Sequence, residues 1–336
     1  MQPAFNNQFP SRGIGRPQIV LLGNGLEYEL QGSWDELVDA LTAPELLGHV
    51  PKEVEDMPFP LRYEFLSTPP SMPYPLNGDS IAIQNQRLSG AMKKLRHESN
   101  AYMKRLPELE ADHIFTTNYS YCIEKGFNEK LDFTNPQTRS RRRFDLRKSP
   151  GWYGPDVNQE RVYRLSTGYS LTDEKHRPTG IWHIHGECGN AQGIVLGHDK
   201  YCRLSSRIES ACDLPNTAHA KRYHGHPEDR RMLTFYSWPE LFLFADVYIL
   251  GLKMHECEFD LWWLFRRKQR EQYADGRIYF YERRPAEGFV ESRFRLLEAH
   301  GVLLEDVGHT TMEDEYQPFY FDALDDIQKK IETHRR

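Results

Sequence analysis

The sequence predicts an α/β fold in which helices cover both faces of a doubly wound parallel sheet. Apolar runs at 245–252, 276–283 and 302–307 are each followed by an amphipathic segment, so strands and helices alternate through the C-terminal third. Near the N-terminus, "QIVLLGNGL" at 18–26 is an unbroken apolar run that ends in Gly-Asn-Gly. Such a run is typical of a parallel strand buried on both faces. We therefore predict a Rossmann-like core with a smaller helical or irregular second lobe.

The other elements are predicted from hydrophobic periodicity and from the residues that end each pattern. "SWDELVDALTA" (33–43) has the form of a helix that starts with a capping box, with Ser33 as its N-cap. A long amphipathic helix is expected at 80–106, where Pro107 ends it, and "HIFTTN" (113–118) is expected to be a buried strand. Short strands are expected at 180–187 and 193–201, and helices at 257–273, 288–301 and 319–334.

Composition divides the chain into an arm and one domain. Residues 1–17 are rich in Asn, Gly, Pro and Arg and are expected to form a flexible N-terminal arm. Residues 18–336 are expected to form a single domain. Its core is predicted at about 18–43, 111–127, 181–201 and 245–336, and an inserted lobe at about 44–110 and 128–230.

Charge and composition exclude several classes of protein. The 336 residues are 39% hydrophobic, 12% aromatic and 27% charged, which indicates a folded, soluble protein. A formal net charge of −6 does not favour a protein that binds polyanions with its whole surface. The N-terminus has no apolar signal segment, and the longest apolar stretch, 241–252, is too short to span a bilayer. Five scattered cysteines without a Cys-x-x-Cys pair fit the cytoplasm and exclude a four-cysteine zinc site.

The loop after the first strand, Gly23-Asn24-Gly25, is a candidate phosphate-binding turn. Two glycines let the backbone approach a pyrophosphate, and the N-terminus of a following helix adds a positive field. The Gly-x-Gly-x-x-Gly pattern is incomplete, because Tyr28 stands at its third glycine position. A plain β–α turn explains the same residues, so both interpretations stay open.

Small polar residues follow the strand at 113–118, at the end where open α/β sheets bind ligands. Asn118 carries a donor and an acceptor on one short side chain, so it can hold a water molecule or a hydroxyl group. The alternative is an Asn that satisfies backbone groups of its own loop.

The histidines of "GIWHIHGE" are candidates for proton transfer or for metal binding. His185 is a candidate general base, since the unperturbed pKa of histidine is about 6.5. His183 and His185 share one face of the predicted strand, which is a metal-ligand spacing. His224 and His226 repeat the spacing, and His198-Asp199 lies nearby in the sequence. A zinc or manganese hydrolase is therefore an alternative, although strong signatures such as His-Glu-x-x-His are missing.

Four segments, in this order, resemble the Sir2-like superfamily: "LLGNGL…SWDELV", "IFTTNYS", "WHIHGE…GIVLGHDKY" and "YILGLKMHECEFDLWWL". The Gly-rich loop, the Thr-Gln-Asn-Ile-Asp stretch and the Leu-His-Gly stretch of sirtuins match residues 23–25, 116–120 and 184–186. Leu250-Gly251-Leu252 is similar to the strand end that meets the cofactor in that fold. The resemblance is closer to the bacterial Sir2-like branch than to the sirtuin deacylases.

The resemblance implies NAD as the substrate and gives roles to particular residues. Asn118 would hold the attacking water or a ribose hydroxyl beside C1′, and His185 would act as the base. Glu282 is added because an acidic residue at a strand end accepts hydrogen bonds from ribose hydroxyls in dinucleotide sites. The expected NAD-binding set is Gly23, Asn24, Gly25, Thr116, Thr117, Gly251, Leu252 and Glu282. No metal is expected.

Departures from the sirtuin pattern bear on the substrate. The chain lacks the two Cys-x-x-Cys pairs of the structural zinc module, and residues 26–30 replace the Gly-Ile-Pro-Asp-Phe-Arg stretch. Thr117 replaces the Gln of the Thr-Gln-Asn-Ile-Asp stretch, and Ser120 replaces its Asp, which usually contacts the nicotinamide amide. These differences argue against an acetyl-lysine peptide and leave NAD itself as the substrate.

Many proteins of the bacterial branch consume NAD in anti-phage defence, so the resemblance implies a gated NAD+ hydrolase. Gating implies a homo-oligomer, a separate sensor or regulator protein, or both, since an ungated hydrolase would be toxic. No membrane association is expected, and nucleic acid is expected to act only through a partner, if at all. The alternatives are an NAD- or nucleotide-binding regulatory or assembly subunit without turnover, and an NAD-dependent deacylase or ADP-ribosyltransferase.

Overall fold

One eight-stranded sheet organises the part of the chain that the structure describes. The structure is a computed structural model, and it describes residues 16–32, 34–47, 50–68, 78–148, 162–172, 177–212, 235–271, 276–283, 292–308 and 316–335. The strands are β1 (Gln18–Leu22), β2 (His113–Thr116), β3 (Arg143–Asp145), β4 (Thr167–Leu171), β5 (Thr179–His183), β6 (Asp246–Leu250), β7 (Ile278–Tyr281) and β8 (Val302–Glu305). They lie in the order β3-β4-β5-β2-β1-β6-β7-β8.

Six neighbouring strands of this sheet, from β5 to β8, are parallel. Strand β4 is antiparallel to both β3 and β5, so the sheet is mixed at that end. The predicted α/β, Rossmann-like fold is confirmed.

Helices of the described residues connect the strands and cover the sheet. They are α1 (Tyr28–Gln31), α2 (Trp34–Ala40), α3 (Lys52–Glu55), α4 (Phe59–Ser67), α5 (Gly78–Met92), α6 (Ala101–Arg105), α7 (Cys122–Phe127), α8 (Pro136–Arg142), α9 (His198–Cys212), α10 (Trp238–Phe244), α11 (Phe259–Glu271), α12 (Ser292–Ala299) and α13 (Tyr316–His334).

Both faces of the sheet are buried, which explains the unbroken apolar run of β1. Ile19 and Leu21 pack into one hydrophobic cluster, and Val20 and Leu22 pack into another. Helices α9 to α12 contribute to the first cluster, whereas α6, α7 and α13 contribute to the second. Because successive side chains of a strand point to opposite faces, every apolar position of β1 contacts one of these helical layers.

The strand order changes direction at β1, which lies between β2 and β6. The chain adds β2 and β5 on one side of β1 and then places β6, β7 and β8 on the other. In open α/β sheets, ligands bind outside the carboxyl ends of the strands at such a point. The topology therefore predicts the ligand site among the loops that follow β1, β2, β5 and β6.

The predicted strand at 193–201 is wrong. Residues Ala191–Gly193 form a 3-10 turn, and α9 begins at His198. Tyr201, Leu204 and Ile208 are buried on one face of α9, at helical spacings of three and four. A short apolar run such as 194–196 does not distinguish a buried loop from a strand.

The segment at 80–106 also differs from its prediction. The predicted long helix is interrupted, because α5 ends at Met92 and a second helix, α6, starts after Asn100, whose side chain accepts from Met103 N. Strands β3 and β4 lie inside the range predicted as an insertion and extend the sheet. The division of the chain into a core and an inserted lobe stays a prediction.

The end of the predicted arm is fixed to the sheet. Arg16 Nε donates to Asp246 Oδ2 at 3.1 Å, and Asp246 N donates to Pro17 O. Residues 1–15 lie outside the described residues, so the flexible arm stays a prediction. Within the described ranges, no helix has both the length and the apolar character needed to cross a membrane.

Candidate functional site

The glycine loop after β1 is packed against the end of β6. Gly23 N donates to Leu250 O at 3.0 Å, and Gly25 N donates to Gly251 O at 2.8 Å. A Cβ atom on Gly23 would lie 2.4 Å from Gly251 O, and one on Gly25 would lie 2.9 Å from Gly251 Cα. The two glycines therefore let the ends of β1 and β6 approach each other, as in the plain-turn interpretation. Phosphate binding by this loop stays a prediction.

Replacement of Gly23 by Ala is expected to lower the free energy of unfolding by about 2 kcal/mol or more, because the added methyl group would overlap backbone atoms that cannot move independently. Chemical denaturation monitored by circular dichroism measures the change. Gly90→Ala is the matched control. Apart from its chain neighbours and its own helix backbone, no atom of the described residues lies within 4 Å of a Cβ at Gly90 in α5. This change is therefore expected to stabilise by about 0.5–1 kcal/mol. Equal stability of the two variants would contradict the packing described for Gly23.

Asn118 lies in the loop after β2 and has an unsatisfied acceptor. Its backbone N donates to Thr116 Oγ1 at 3.0 Å, and its Nδ2 donates to Gly23 O at 3.1 Å. Its Oδ1 is buried without a hydrogen-bond partner in the described part of the chain, as is Oγ1 of Thr117. Buried acceptors without partners are rare and costly, so they are typical of sites that a ligand or water completes.

A cavity of about 650 Å³ opens beside Asn118. Its size lies within the range of about 300–1,000 Å³ that is usual for small-molecule sites. Its wall includes residues from the loops after β1 and β2 and from the segment that follows α5, among them Asn24, Glu27, Lys94, Arg96, Asn118, Tyr119 and Ser120. The cavity thus lies at the carboxyl ends of β1 and β2, where the topology predicts a ligand.

Charged residues that were not predicted as site residues line this cavity. Lys94 and Arg96 are exposed, whereas Glu27 is only 1% exposed. Glu27 Oε2 accepts a hydrogen bond from Ser120 Oγ at 2.5 Å, and burial raises the pKa of Glu27 against the lowering effect of that bond. The basic run "KKLR" at 93–96 could have indicated Lys94 and Arg96 as candidate binding residues. Glu27 gave no local signal, since Ser120 is 93 positions away.

His183, the last residue of β5, holds the loop that carries Asn118. Its Nδ1 lies 2.9 Å from the backbone O of Asn118, and its Nε2 lies 2.9 Å from Glu124 Oε1. Burial opposes a charge on this imidazole, but Glu124 outweighs burial and raises the pKa of His183 to about 9. A protonated His183 donates to both oxygens and so fixes the backbone of Asn118.

His185 is buried among carboxylates and does not line the 650 Å³ cavity. Its Nε2 lies 2.9 Å from Asp260 Oδ2, its Nδ1 lies 3.9 Å from Glu258 Oε2, and its ring packs against Tyr201. Burial disfavours the imidazolium, but Asp260 and then Glu258 raise the pKa of His185 above its usual value. Burial raises the pKa of Glu258 to about 7. Neither carboxylate was predicted as a site residue, because both are distant from His185 along the chain.

The two histidines of "HIH" do not converge on one ligand. Strand β5 ends at His183, and the chain turns through Gly186, whose φ is +93°. The two rings therefore contact different carboxylates, Glu124 and Asp260. The ligand atoms of His185, Glu258 and Asp260 do lie within 4.8 Å of one another, a spacing that could hold a cation. His224 and His226 lie outside the described residues.

The other predicted NAD-binding residues lie at strand ends with partners of their own. Thr116 accepts from Asn118 N, and Leu252 is buried in the first hydrophobic cluster. Gly251 has a φ of +70°, a conformation that favours glycine. Glu282, after β7, forms an ion pair of 2.9 Å with Arg293. The structure brings Gly23, Thr117 and Asn118 together but gives Glu282 a protein partner.

Residues 112–304, more than half of the chain, match the family model of the SIR2-like domain. The chain belongs to the SIR2-like family. The match includes Asn118, His185 and Gly251, and it begins after the glycine loop of β1. A search of curated proteins found no match. SIR2-like domains use NAD, so this SIR2-like protein has an NAD-related function.

Proposed function

We propose that this SIR2-like protein hydrolyses NAD+ to ADP-ribose and nicotinamide. The observation that supports this most directly is the buried Oδ1 of Asn118. This atom has no hydrogen-bond partner in the described part of the chain, and its residue lines the 650 Å³ cavity at the carboxyl end of β2. A group that donates a hydrogen bond is needed there, and the attacking water is such a group.

The proposed reaction breaks the bond between C1′ of the ribose and the ring nitrogen of nicotinamide. The bonding pair leaves with nicotinamide, which becomes a neutral pyridine. Water forms the new bond to C1′ and releases its proton to the solvent. The protein must hold the dinucleotide and place the water beside C1′. A side chain that does this accelerates the reaction mainly by orienting the reactants. Asn118 Oδ1 accepts a hydrogen bond from the water, while its Nδ2 stays bound to Gly23 O.

His185 enters the proposal as a positioning residue. Both ring nitrogens of His185 approach carboxylates. Ile184 N donates to Thr116 O, so the chain just before His185 is hydrogen-bonded to the end of β2, next to the loop of Asn118. The base role that the resemblance implies for His185 stays a prediction, since His185 is not among the residues that line the cavity. Lys94 and Arg96, on the cavity wall, are suited to neutralise the diphosphate.

The same proposal includes a gate and a partner. An NAD+ hydrolase that depletes the cofactor needs a resting state, so we propose a gated effector of bacterial anti-phage defence that works in the cytoplasm. A second copy of the chain, a separate sensor protein, or both would supply the gate. Support for this part is the resemblance alone.

A second candidate is an NAD-binding subunit without turnover. The burial of His185 favours it, because both ring nitrogens approach carboxylates of the protein and the ring does not line the cavity.

Mass spectrometry of NAD+, nicotinamide and ADP-ribose, after incubation with the purified protein, tests the proposal. A second incubation contains bacterial cell extract as a source of a separate activator. The NAD+ turnover of the extract alone is subtracted. We expect nicotinamide and ADP-ribose in equal amounts in at least one condition. Intact NAD+ in both conditions, together with calorimetric binding of NAD+, would instead support the binding subunit.

A further inference from the structure

The carboxylate of Glu27 is a second unsatisfied group on the cavity wall. Oε2 accepts from Ser120 Oγ at 2.5 Å, whereas Oε1 is buried and has no hydrogen-bond partner in the described residues. Glu27 belongs to the loop after β1, and Ser120 lies two residues after Asn118 in the loop after β2. The contact between the two loops therefore brings a carboxylate beside Asn118.

Among the described residues, no cationic side chain forms a hydrogen bond with the carboxylate of Glu27. Burial is the main effect on the pKa of Glu27 and raises it, and the charge of Glu124 raises it as well. The hydrogen bond from Ser120, the nearby amide of Asn118 and the charge of His183 lower it. His183 is itself bound to Glu124 Oε1 and to the backbone of Asn118. A buried carboxylate oxygen in this position is suited to a ligand that carries an N–H donor and a positive charge.

We propose that Glu27 recognises the nicotinamide end of the dinucleotide by accepting a hydrogen bond from its carboxamide N–H. This inference rests on the proposed function and adds a residue that determines substrate specificity. The nicotinamide ring of NAD+ is positively charged, and its carboxamide has two N–H donors, so it satisfies both requirements of the Glu27 site. Ser120 stands where the resemblance expects an Asp, and its hydroxyl orients a carboxylate that comes from the other loop.

Ser120 acts as a positioning residue in this scheme. Its Oγ donates to Glu27 Oε2 and accepts from Cys122 N at 3.3 Å, so the hydroxyl is fixed from both sides. That geometry leaves Oε1 of Glu27 as the oxygen available to the ligand. Loss of the hydroxyl would leave the carboxylate present but free to rotate.

The test compares NAD+ with 3-acetylpyridine adenine dinucleotide, in which a methyl ketone replaces the carboxamide. No N–H donor then remains on the pyridine end of the molecule. The quantity measured is the ratio of kcat/KM for the two dinucleotides. A site built around a substrate N–H rejects an analogue that lacks it, so wild type is expected to prefer NAD+ by tenfold or more. Glu27→Leu is expected to bring the two values within about threefold, and Ser120→Ala is expected to give an intermediate ratio. Glu53→Leu, an exposed change on α3, is the matched control and should keep the wild-type ratio.

Thermal unfolding is measured for each variant together with the rates. If Glu27→Leu does not fold, the kcat/KM ratio of Ser120→Ala is used instead. An unchanged ratio in folded Glu27→Leu, or in Ser120→Ala where it alone folds, would overturn this inference and leave NAD+ hydrolysis in place. Cleavage of neither dinucleotide by wild type, with or without cell extract, would overturn the proposed function and this inference together. A wild-type protein that cleaves both dinucleotides equally well would overturn the inference alone.

Discussion

The Asn118→Ala protein is expected to release nicotinamide from NAD+ about 10² times more slowly than wild type. The change removes the buried acceptor that orients the attacking water in our proposal. It also removes the hydrogen bond from Nδ2 to Gly23 O, which contributes about 1 kcal/mol to stability. Loss of the unpaired Oδ1 offsets that cost, because a buried acceptor without a partner costs about 1–3 kcal/mol. The variant should therefore fold with nearly unchanged stability.

Initial rates of nicotinamide release and a thermal unfolding curve, measured on the same samples, separate these effects. Asn85→Ala, an exposed Asn on α5, is the matched control and should retain the wild-type rate. A folded Asn118→Ala protein that keeps the wild-type rate would show that the buried amide is structural and that the water is held elsewhere.

The His185→Ala protein is expected to lose about 3–5 kcal/mol of unfolding free energy. His185 separates two carboxylates, Asp260 and Glu258, that are almost fully buried, and its removal leaves them without their cationic neighbour. Any loss of NAD+ turnover in this variant is therefore accompanied by a large loss of stability. His255→Ala, which changes an exposed histidine, is expected to alter stability by less than about 0.5 kcal/mol.

The cost of His185→Ala is expected to be smaller at pH 8 than at pH 5, because the stability that His185 contributes is lost as pH rises. Glu258 has a folded pKa of about 7, above its ordinary value, so its contribution to stability is present below that ordinary value and is lost as pH rises through 7. His185 also has a raised pKa, so its contribution is complete below about pH 6.5 and is lost as pH rises through the folded value. Urea denaturation at the two pH values measures this, and an equal cost at both would contradict the ion-pair account.

The sequence was most informative where one pattern fixes one structure. The run at 18–26 predicts a strand buried on both faces, and β1 indeed contacts helices on both sides. Strand β4 was not predicted because its short, mixed segment has no sustained period. Helix α9 was not predicted because its few apolar positions lie three or four residues apart in an otherwise polar segment.

Site residues were predictable where they follow a strand, and not where they depend on a long-range contact. Asn118 could be found because the carboxyl end of a parallel strand is a known ligand position. Glu27 and Asp260 could not, since each acts through a residue far away along the chain: 93 positions for Ser120 and 75 positions for His185. Periodicity shows which residues are buried but not which distant residue each one contacts.

The most direct test of the account is a crystal structure of the Asn118→Ala protein grown with NAD+. The account predicts intact NAD+ in the cavity of about 650 Å³, with C1′ of the nicotinamide ribose within about 4 Å of the space that the Asn118 side chain vacates. The diphosphate should lie toward Lys94 and Arg96. NAD+ bound at another edge of the sheet, or with its nicotinamide ribose outside this cavity, would contradict the account.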